Sequence, residues 1–273
     1  MQNKKTLGQN FLKSGNIINK IVETADISDN DFILEIGPGK GVLTEKLLDK
    51  AGKVIVVEKD IRLISYLEEK FENYIKKDKL KVIYGDILDF EAKDIFLKED
   101  YKIVANIPYY ITGKIVKKFL SEKKQPTMMV LMVQKEVAKR ITQLPESILS
   151  ISVKIYGDPK YVKTVKAENF SPKPKVDSAI LLINNISKNF FKEEKEGEKH
   201  KKIAEKDFFY LVKAGFSHKR KTLINNLITD YDEKKELNKE ILNKSFQELN
   251  FSPKIRAENL SKNDWKSLFI KIN

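Results

Sequence analysis

Apolar and polar positions alternate along the first two thirds of the chain in blocks of two kinds. Ile17, Ile18, Ile21, Val22 and Ala25 fall on one face at helical spacing. Phe32–Ile36 is a short continuous apolar run broken only by Glu35, the pattern of a strand buried on both faces, and it stops at Gly37. Val42–Leu48 then reads as a helix, Val54–Val57 as a second buried strand ending at Glu58, and 61–74 as a helix. Leu80–Tyr84 is a third strand, ending at Gly85-Asp86. Tyr101–Ala105 is a fourth, ending at Asn106, with a helix from Thr112 to Leu120. Met128–Val133 is a fifth, followed by helical Lys135–Ile141. Strands alternating with helices require right-handed crossovers and a mostly parallel sheet covered on both faces. Residues 1–15 show no such period.

The rhythm then changes. Lys160–Val165 and Ala179–Ile183 read as strands with no full helix between them, which predicts an antiparallel hairpin closing the sheet edge. Lys192–Lys202 (KEEKEGEKHKK) has no apolar residue and reads as a solvated linker or long loop. Beyond it the spacing is helical throughout: 208–216, 222–228, 239–249 and 264–270. The predicted architecture is an α/β domain over residues 1–185 and a small all-α domain over 186–273.

Composition narrows the chemistry. With 41% hydrophobic and 33% charged residues the chain is that of a globular protein, and no apolar run approaches the ~20 residues of a membrane helix. The N-terminus has basic residues but no apolar stretch of the secretory kind, so the expected location is the cytoplasm. The absence of cysteine removes disulfides, thiolate metal sites and thiol nucleophiles, and two histidines leave little for a His-rich metal site. No metal is expected. Net charge is +13, with 20 Lys/Arg against 14 Asp/Glu in residues 184–273, so the excess is shared between both parts of the chain. An extended polyanion such as RNA is the partner that distribution suits.

The polar residues that interrupt the pattern fall at strand ends. Glu35-Ile36-Gly37-Pro38-Gly39-Lys40-Gly41 follows the first strand with glycines at alternate positions, where a ligand can approach the backbone. This spacing is not the G-x-G-x-x-G dinucleotide fingerprint, nor does it end in the Lys-Ser/Thr of a phosphate-binding loop. A plain turn is the competing reading. Glu58 ends the second strand, where a carboxylate can accept from both ribose hydroxyls of a nucleoside, and Asp86 ends the third, where it can accept from an adenine amine. In open α/β sheets ligands bind at these carboxyl ends.

Asn106-Ile107-Pro108-Tyr109 ends the fourth strand. Pro108 cannot donate a backbone hydrogen bond and biases Ile107 towards an extended conformation. The chain thus leaves its strand with acceptors free and an aromatic ring beside them, a corner suited to an adenine, although an ordinary strand exit would look similar. NAD would also suit Glu58, but hydride transfer gives no reason for this corner. S-adenosylmethionine does. An exocyclic amine whose two N–H groups are accepted by the Asn106 side-chain oxygen and the Ile107 carbonyl is a better nucleophile, and Tyr109 can stack on its ring. Orientation and electrostatic fit would carry such a transfer without a covalent intermediate.

Together these segments resemble the ribosomal RNA adenine dimethyltransferases of the KsgA type, over nearly the whole chain. The residues that carry the resemblance are Gly8-Gln9-Asn10-Phe11-Leu12, EIGPGKG at 35–41, Val57-Glu58-Lys59-Asp60, Gly85-Asp86 and NIPYYIT at 106–112. Gln134-Lys135-Glu136-Val137-Ala138, FSPKPKVDS at 170–178 and the run AGFSHKRKT at 214–222 complete it. The resemblance implies a Rossmann-like class I methyltransferase domain and a helical C-terminal domain that binds rRNA. It implies two methyl transfers to each of two adjacent adenines near the 3′ end of 16S rRNA, in the small ribosomal subunit or its precursor, by a monomer. It also implies that Asn10, Leu12, Gly37, Gly39, Glu58, Asp86 and Asn106 contact S-adenosylmethionine, with Gln9–Leu12 covering it, and that Tyr109 and Phe170 sandwich the target base.

Lys173 and Lys175, beside Phe170, and the cluster Lys219, Arg220 and Lys221 would grip phosphates, which sets register without reading bases. Ile107 stands where the family often has Leu, a change that leaves the acting carbonyl in place. His218 stands where Arg or Gln is common, and Gln143–Ser147 lacks the family's usual Tyr-Gly. The related 23S rRNA methyltransferases of macrolide resistance are the enzyme alternative, against which 214–222 and 134–138 argue. A small-subunit assembly factor that binds precursor rRNA is the non-enzymatic one.

Overall fold

The computed structural model describes residues 10–192, 203–231 and 239–273, and the backbone of 194–196 and 199–201. Gly8 and Gln9 of the N-terminal motif, and Glu193, Gly197, Glu198 and Lys202 of the charged run, lie outside the described residues. The chain divides into two compact units: the residues up to Lys139 with Gly157–Ser187, and Arg140–Tyr156 with Lys188–Asn273.

In chain order the elements of the first unit begin with β1 (Phe11–Leu12), α1 (Gly15–Thr24), β2 (Phe32–Ile36), α2 (Val42–Leu48) and β3 (Lys53–Glu58). They continue with α3 (Ile61–Lys70), α4 (Glu72–Lys76), β4 (Leu80–Tyr84), α5 (Ala92–Ile95), β5 (Tyr101–Asn106), α6 (Thr112–Ser121), β6 (Met128–Gln134) and α7 (Lys135–Thr142), which runs past the unit boundary. A seven-stranded sheet has the order β4-β3-β2-β5-β6-β9-β7, where β7 is Asp158–Val165 and β9 is Ser178–Asn184. The first five strands are parallel. β9 runs antiparallel to both β6 and β7, the edge hairpin the sequence predicts.

Strand order reverses between β2 and β5, which places a topological switch point between them. Their pairing stops at Leu34 opposite Ile103, so the last residues of both strands part from each other. That divergence opens a crevice at the carboxyl ends. Beneath it Ile18, Ile21, Leu47, Val54, Val104 and Val130 form a continuous core, in which each fully buried aliphatic side chain contributes roughly 1.5–3 kcal/mol.

Two local features depart from the periodicity. The helix expected over 61–74 is broken at Phe71, which adopts φ −114°, ψ 21° and is 3% exposed. Its ring fills the space beside Gly41, where a Cβ would come within 2.5 Å of it, so burying this ring takes precedence over continuing the helix. Secondly, the irregular N-terminus contains β1, which pairs antiparallel with β8 (Phe170–Ser171), Leu12 opposite Phe170. Two residues are too short a run to show a period.

The second unit is helical, with α8 (Ile148–Tyr156), α9 (Glu205–Gly215), α10 (Leu223–Asp230), α11 (Lys239–Glu248) and α12 (Lys262–Ile272). Its core is aromatic: Phe208 packs edge-on against Phe191 and tilted against Phe269. Trp265 is fully buried, and a Cβ at Gly215 would lie 2.3 Å from its ring. The charged run read as a linker carries a short antiparallel ribbon, Glu194–Glu196 with Lys199–Lys201. Among the described residues no helix is long and apolar enough to cross a membrane.

Candidate active site

A cavity of about 310 Å³ occupies the crevice at the switch point. Its floor is the glycine turn after β2. Gly39 has φ +59°, and a Cβ there would meet the Phe11 ring at 2.6 Å, so glycine is required both by conformation and by the N-terminal strap lying against it. Lys40 Nζ sits over the same Phe11 ring, 5.6 Å from its centroid. Gly41, at φ +71°, starts α2.

The acidic wall comes from β2, β3 and β4. Glu58 is 6% exposed and accepts three main-chain N–H groups, from Gly39 at 3.2 Å and from Lys59 and Asp60 at 2.9 Å. Burial raises its pKa and these three donors pull it back, so the carboxylate is held in one orientation. Glu35, 1% exposed, accepts from Thr44 Oγ1 at 2.6 Å. Burial, opposed by the Thr44 hydrogen bond and helped by a smaller push from Glu58, raises its pKa to about 8. Asp86 accepts from Lys59 Nζ at 2.6 Å and from the Leu88 N–H at 2.9 Å. Lys59 is the main cause that keeps Asp86 below the usual carboxylate range.

Opposite lies the corner that ends β5. Asn106 donates through Nδ2 to the Asn10 carbonyl at 3.0 Å, which leaves Oδ1 as an acceptor. The Ile107 carbonyl accepts no hydrogen bond from the described residues, while its side chain is buried. Tyr109 is half-buried, and its hydroxyl lies 2.5 Å from Ser178 Oγ, which fixes the ring. Burial raises the Tyr109 pKa, with the Ser178 hydrogen bond opposing it, so the phenol is neutral.

Asn10, Leu12, Gly37, Gly39, Glu58, Asp86, Asn106, Ile107 and Tyr109 thus surround one cavity. Phe170 does not join them. It is 2% exposed, packs in the core with Leu12, its partner across the β1–β8 pair, and does not line the cavity. Lys173 and Lys175 are exposed on the loop between β8 and β9. Lys219, Arg220 and Lys221 are exposed on the turn between α9 and α10 in the second unit. That turn is stapled by Asn226, 1% exposed, whose Nδ2 donates to the carbonyls of Gly215 at 2.6 Å and His218 at 3.2 Å.

Sequence reasoning overlooked Thr44, Lys59 and Ser178 as members of the site. Lys59 and Ser178 stand inside segments already singled out, but Thr44 reaches Glu35 only through the turn of α2, for which sequence gives no sign.

The cavity suits S-adenosylmethionine. Its volume is that of a small-molecule pocket, Glu58 is a fixed double acceptor for a diol, and the glycine turn leaves the backbone uncovered by Cβ atoms. A parallel sheet with one antiparallel strand, β9, set between β6 and the edge strand β7, a glycine turn, an acidic residue ending the next strand and a ligand crevice at the switch point is the architecture of a class I methyltransferase. The family model for ribosomal RNA adenine dimethylase matches residues 1–273, and the chain belongs to that family. It is 41% identical over 271 residues, 98% of this chain and 88% of the relative, to ribosomal RNA small subunit methyltransferase A of Dehalococcoides mccartyi. Among solved structures it resembles a dimethyladenosine transferase from Plasmodium falciparum, with TM-score 0.77 and 31% identity over 95% of this chain and 96% of that one. It also resembles the 23S rRNA methyltransferase ErmE, with TM-score 0.74 and 25% identity over 96% and 99%.

Proposed function

We propose that this protein is an S-adenosylmethionine-dependent 16S rRNA (adenine-N6)-dimethyltransferase. It modifies two adjacent adenines near the 3′ end of the small-subunit rRNA, as a cytoplasmic monomer, during small-subunit biogenesis. The observation that carries this is the Asn106–Tyr109 corner, with two free acceptors and a fixed aromatic ring on one cavity wall.

S-adenosylmethionine supplies an electrophilic methyl group on a sulfonium. On the protein side, Glu58 holds the ribose hydroxyls, Asp86 accepts from the cofactor's adenine amine, and Gly37 and Gly39 line its path. Asn10 and Leu12, on the strap, cover it. Asn106 Oδ1 and the Ile107 carbonyl accept the two N–H hydrogens of the target amine, which favours a pyramidal nitrogen with its lone pair free. Tyr109 orients the ring by stacking. No base is needed, since the amine becomes acidic only once methylated and can then release its proton to water. The target adenine must leave its stack to reach this corner, at a cost of a few kcal/mol. Tyr109 is the stacking face at this corner, while Phe170, buried with Leu12, lies outside the cavity lining.

The α/β unit within residues 1–185 performs the transfer, and residues 186–273, of which Lys188–Asn273 share a compact unit with Arg140–Tyr156, bind rRNA. Lys173 and Lys175 serve as a phosphate clamp in the first part and Lys219, Arg220 and Lys221 in the second. The greater identity to the small-subunit relative than to ErmE favours the small subunit as substrate. Incubation with unmodified small subunits and with naked 23S rRNA in parallel tests this choice. Label should enter the small-subunit rRNA; label entering only 23S rRNA would overturn it.

A further inference from the structure

We propose that Tyr110 is a second aromatic platform, which holds the adenine adjacent to the one at Asn106. This rests on the dimethyltransferase function proposed above and names a substrate contact within it. Tyr110 lines the cavity and is 63% exposed, and its hydroxyl makes no hydrogen bond among the described residues. It sits on the 3-10 turn Tyr109–Ile111. Such a turn has about three residues per revolution, so successive side chains point ~120° apart. Tyr109, tied to Ser178, faces one way, and Tyr110 faces the solvent side of the mouth.

Tyr84, exposed at the end of β4, does not line the cavity, and the two rings of the β1–β8 pair are committed elsewhere. Phe11 packs on Gly39, and Phe170 is buried in the core with Leu12. Tyr110 is therefore the ring that can meet a base arriving from solvent. Lys59 and Lys114 are exposed at the same mouth. Lys59 is paired with Asp86, whereas Lys114 has no acidic partner within ion-pair distance among the described residues. An exposed ring beside cations is the make-up of a surface for single-stranded nucleic acid, where preference among bases follows stacking strength, greater for a purine than for uridine, and phosphates are met nearby. When one of two adjacent adenines enters the cavity its neighbour loses a stacking partner. Tyr110, one residue from the ring that holds the first, replaces it.

The test compares wild type, Tyr110→Ala and Tyr110→Phe on unmodified small subunits, with a second set whose rRNA carries uridine in place of the neighbouring adenine. Tyr110→Ala should raise KM for the particles roughly tenfold and leave the Kd for S-adenosylmethionine unchanged, and Tyr110→Phe should behave as wild type. The uridine particles should raise KM for wild type but not for Tyr110→Ala, since that platform is already gone. Equal sensitivity of both proteins to the uridine change would overturn the proposal. So would a rise in cofactor Kd with particle KM unchanged, which would assign the ring to the cofactor. Wild-type protein that transfers no methyl group to rRNA would overturn the function itself, a result separable from any of these.

Discussion

Asn106 reaches across 96 residues of sequence to donate its Nδ2 hydrogen to the main-chain carbonyl of Asn10, at 3.0 Å. The bond fixes which end of the amide faces the strap, so the oxygen is left as the acceptor. The same strap packs Phe11 on Gly39 and pairs Leu12 with Phe170. Residues 10–12 therefore join the glycine turn, the asparagine corner and the Phe170 strand. Gly39→Ala should disturb all three, because the new Cβ would lie 2.6 Å from the Phe11 ring at a φ of +59°. Cofactor affinity should fall at least tenfold. Adding Phe11→Ala should recover part of that affinity by relieving the clash, with the backbone strain remaining; calorimetric binding of S-adenosylhomocysteine to the single and double variants measures the recovery.

Glu35 makes stability depend on pH. Its folded pKa of about 8 lies above the ordinary 4.5, so its contribution is complete below 4.5 and is lost as pH rises towards 8. Within that window the unfolded chain has released the proton and the folded protein still holds it, at roughly 1.4 kcal/mol per pH unit. Glu35→Gln keeps a hydrogen-bonding group beside Thr44 and removes the ionisation. Chemical denaturation at pH 6 and pH 9 should show a smaller drop for the variant than for wild type.

The Tyr109 hydroxyl and ring have separate roles. Tyr109→Phe removes the hydrogen bond to Ser178, worth about 0.5–1.5 kcal/mol, and keeps the stacking face, so kcat should fall by no more than about tenfold. Tyr109→Ala should fall much further, since base stacking contributes roughly 1–3 kcal/mol and the ring also forms part of the cavity wall. Single-turnover methylation rates for the two variants give the comparison.

Replacing Lys219, Arg220 and Lys221 should weaken affinity for small subunits and flatten its dependence on salt, by about 0.7–0.9 in log–log slope for each phosphate no longer neutralised. Cofactor affinity should not change. An unaltered slope would return the cluster to ordinary solvated surface.

The parallel sheet and its edge hairpin were legible because each buried strand is a continuous apolar run closed by a polar or glycine residue. Glu58, Asp86 and Asn106 were legible for the same reason, as polar groups at the ends of such runs. The break at Phe71 was not, since the helical period continues through it and only the space beside Gly41 explains it. β1 was hidden because a two-residue strand has no period and its partner lies about 160 residues away. The burial of Phe170 follows from that pairing. The family resemblance places Phe170 against the target base, whereas in the structure it packs with Leu12 in the core. The Thr44–Glu35 bond requires the turn of α2 to be built before the two residues meet.

Asn106 presents the acceptor that activates the target amine. Mass spectrometry of rRNA from unmodified small subunits, incubated with S-adenosylmethionine and either wild type or Asn106→Ala, tests it most directly. Wild type should add two methyl groups to each of two adjacent adenines near the 3′ end. Asn106→Ala should bind the same particles yet methylate at a rate lower by roughly 10²–10³, the usual effect of removing a preorganised polar group at the reacting centre. Methylation by Asn106→Ala at close to the wild-type rate would show that the Asn106 amide does not activate the amine.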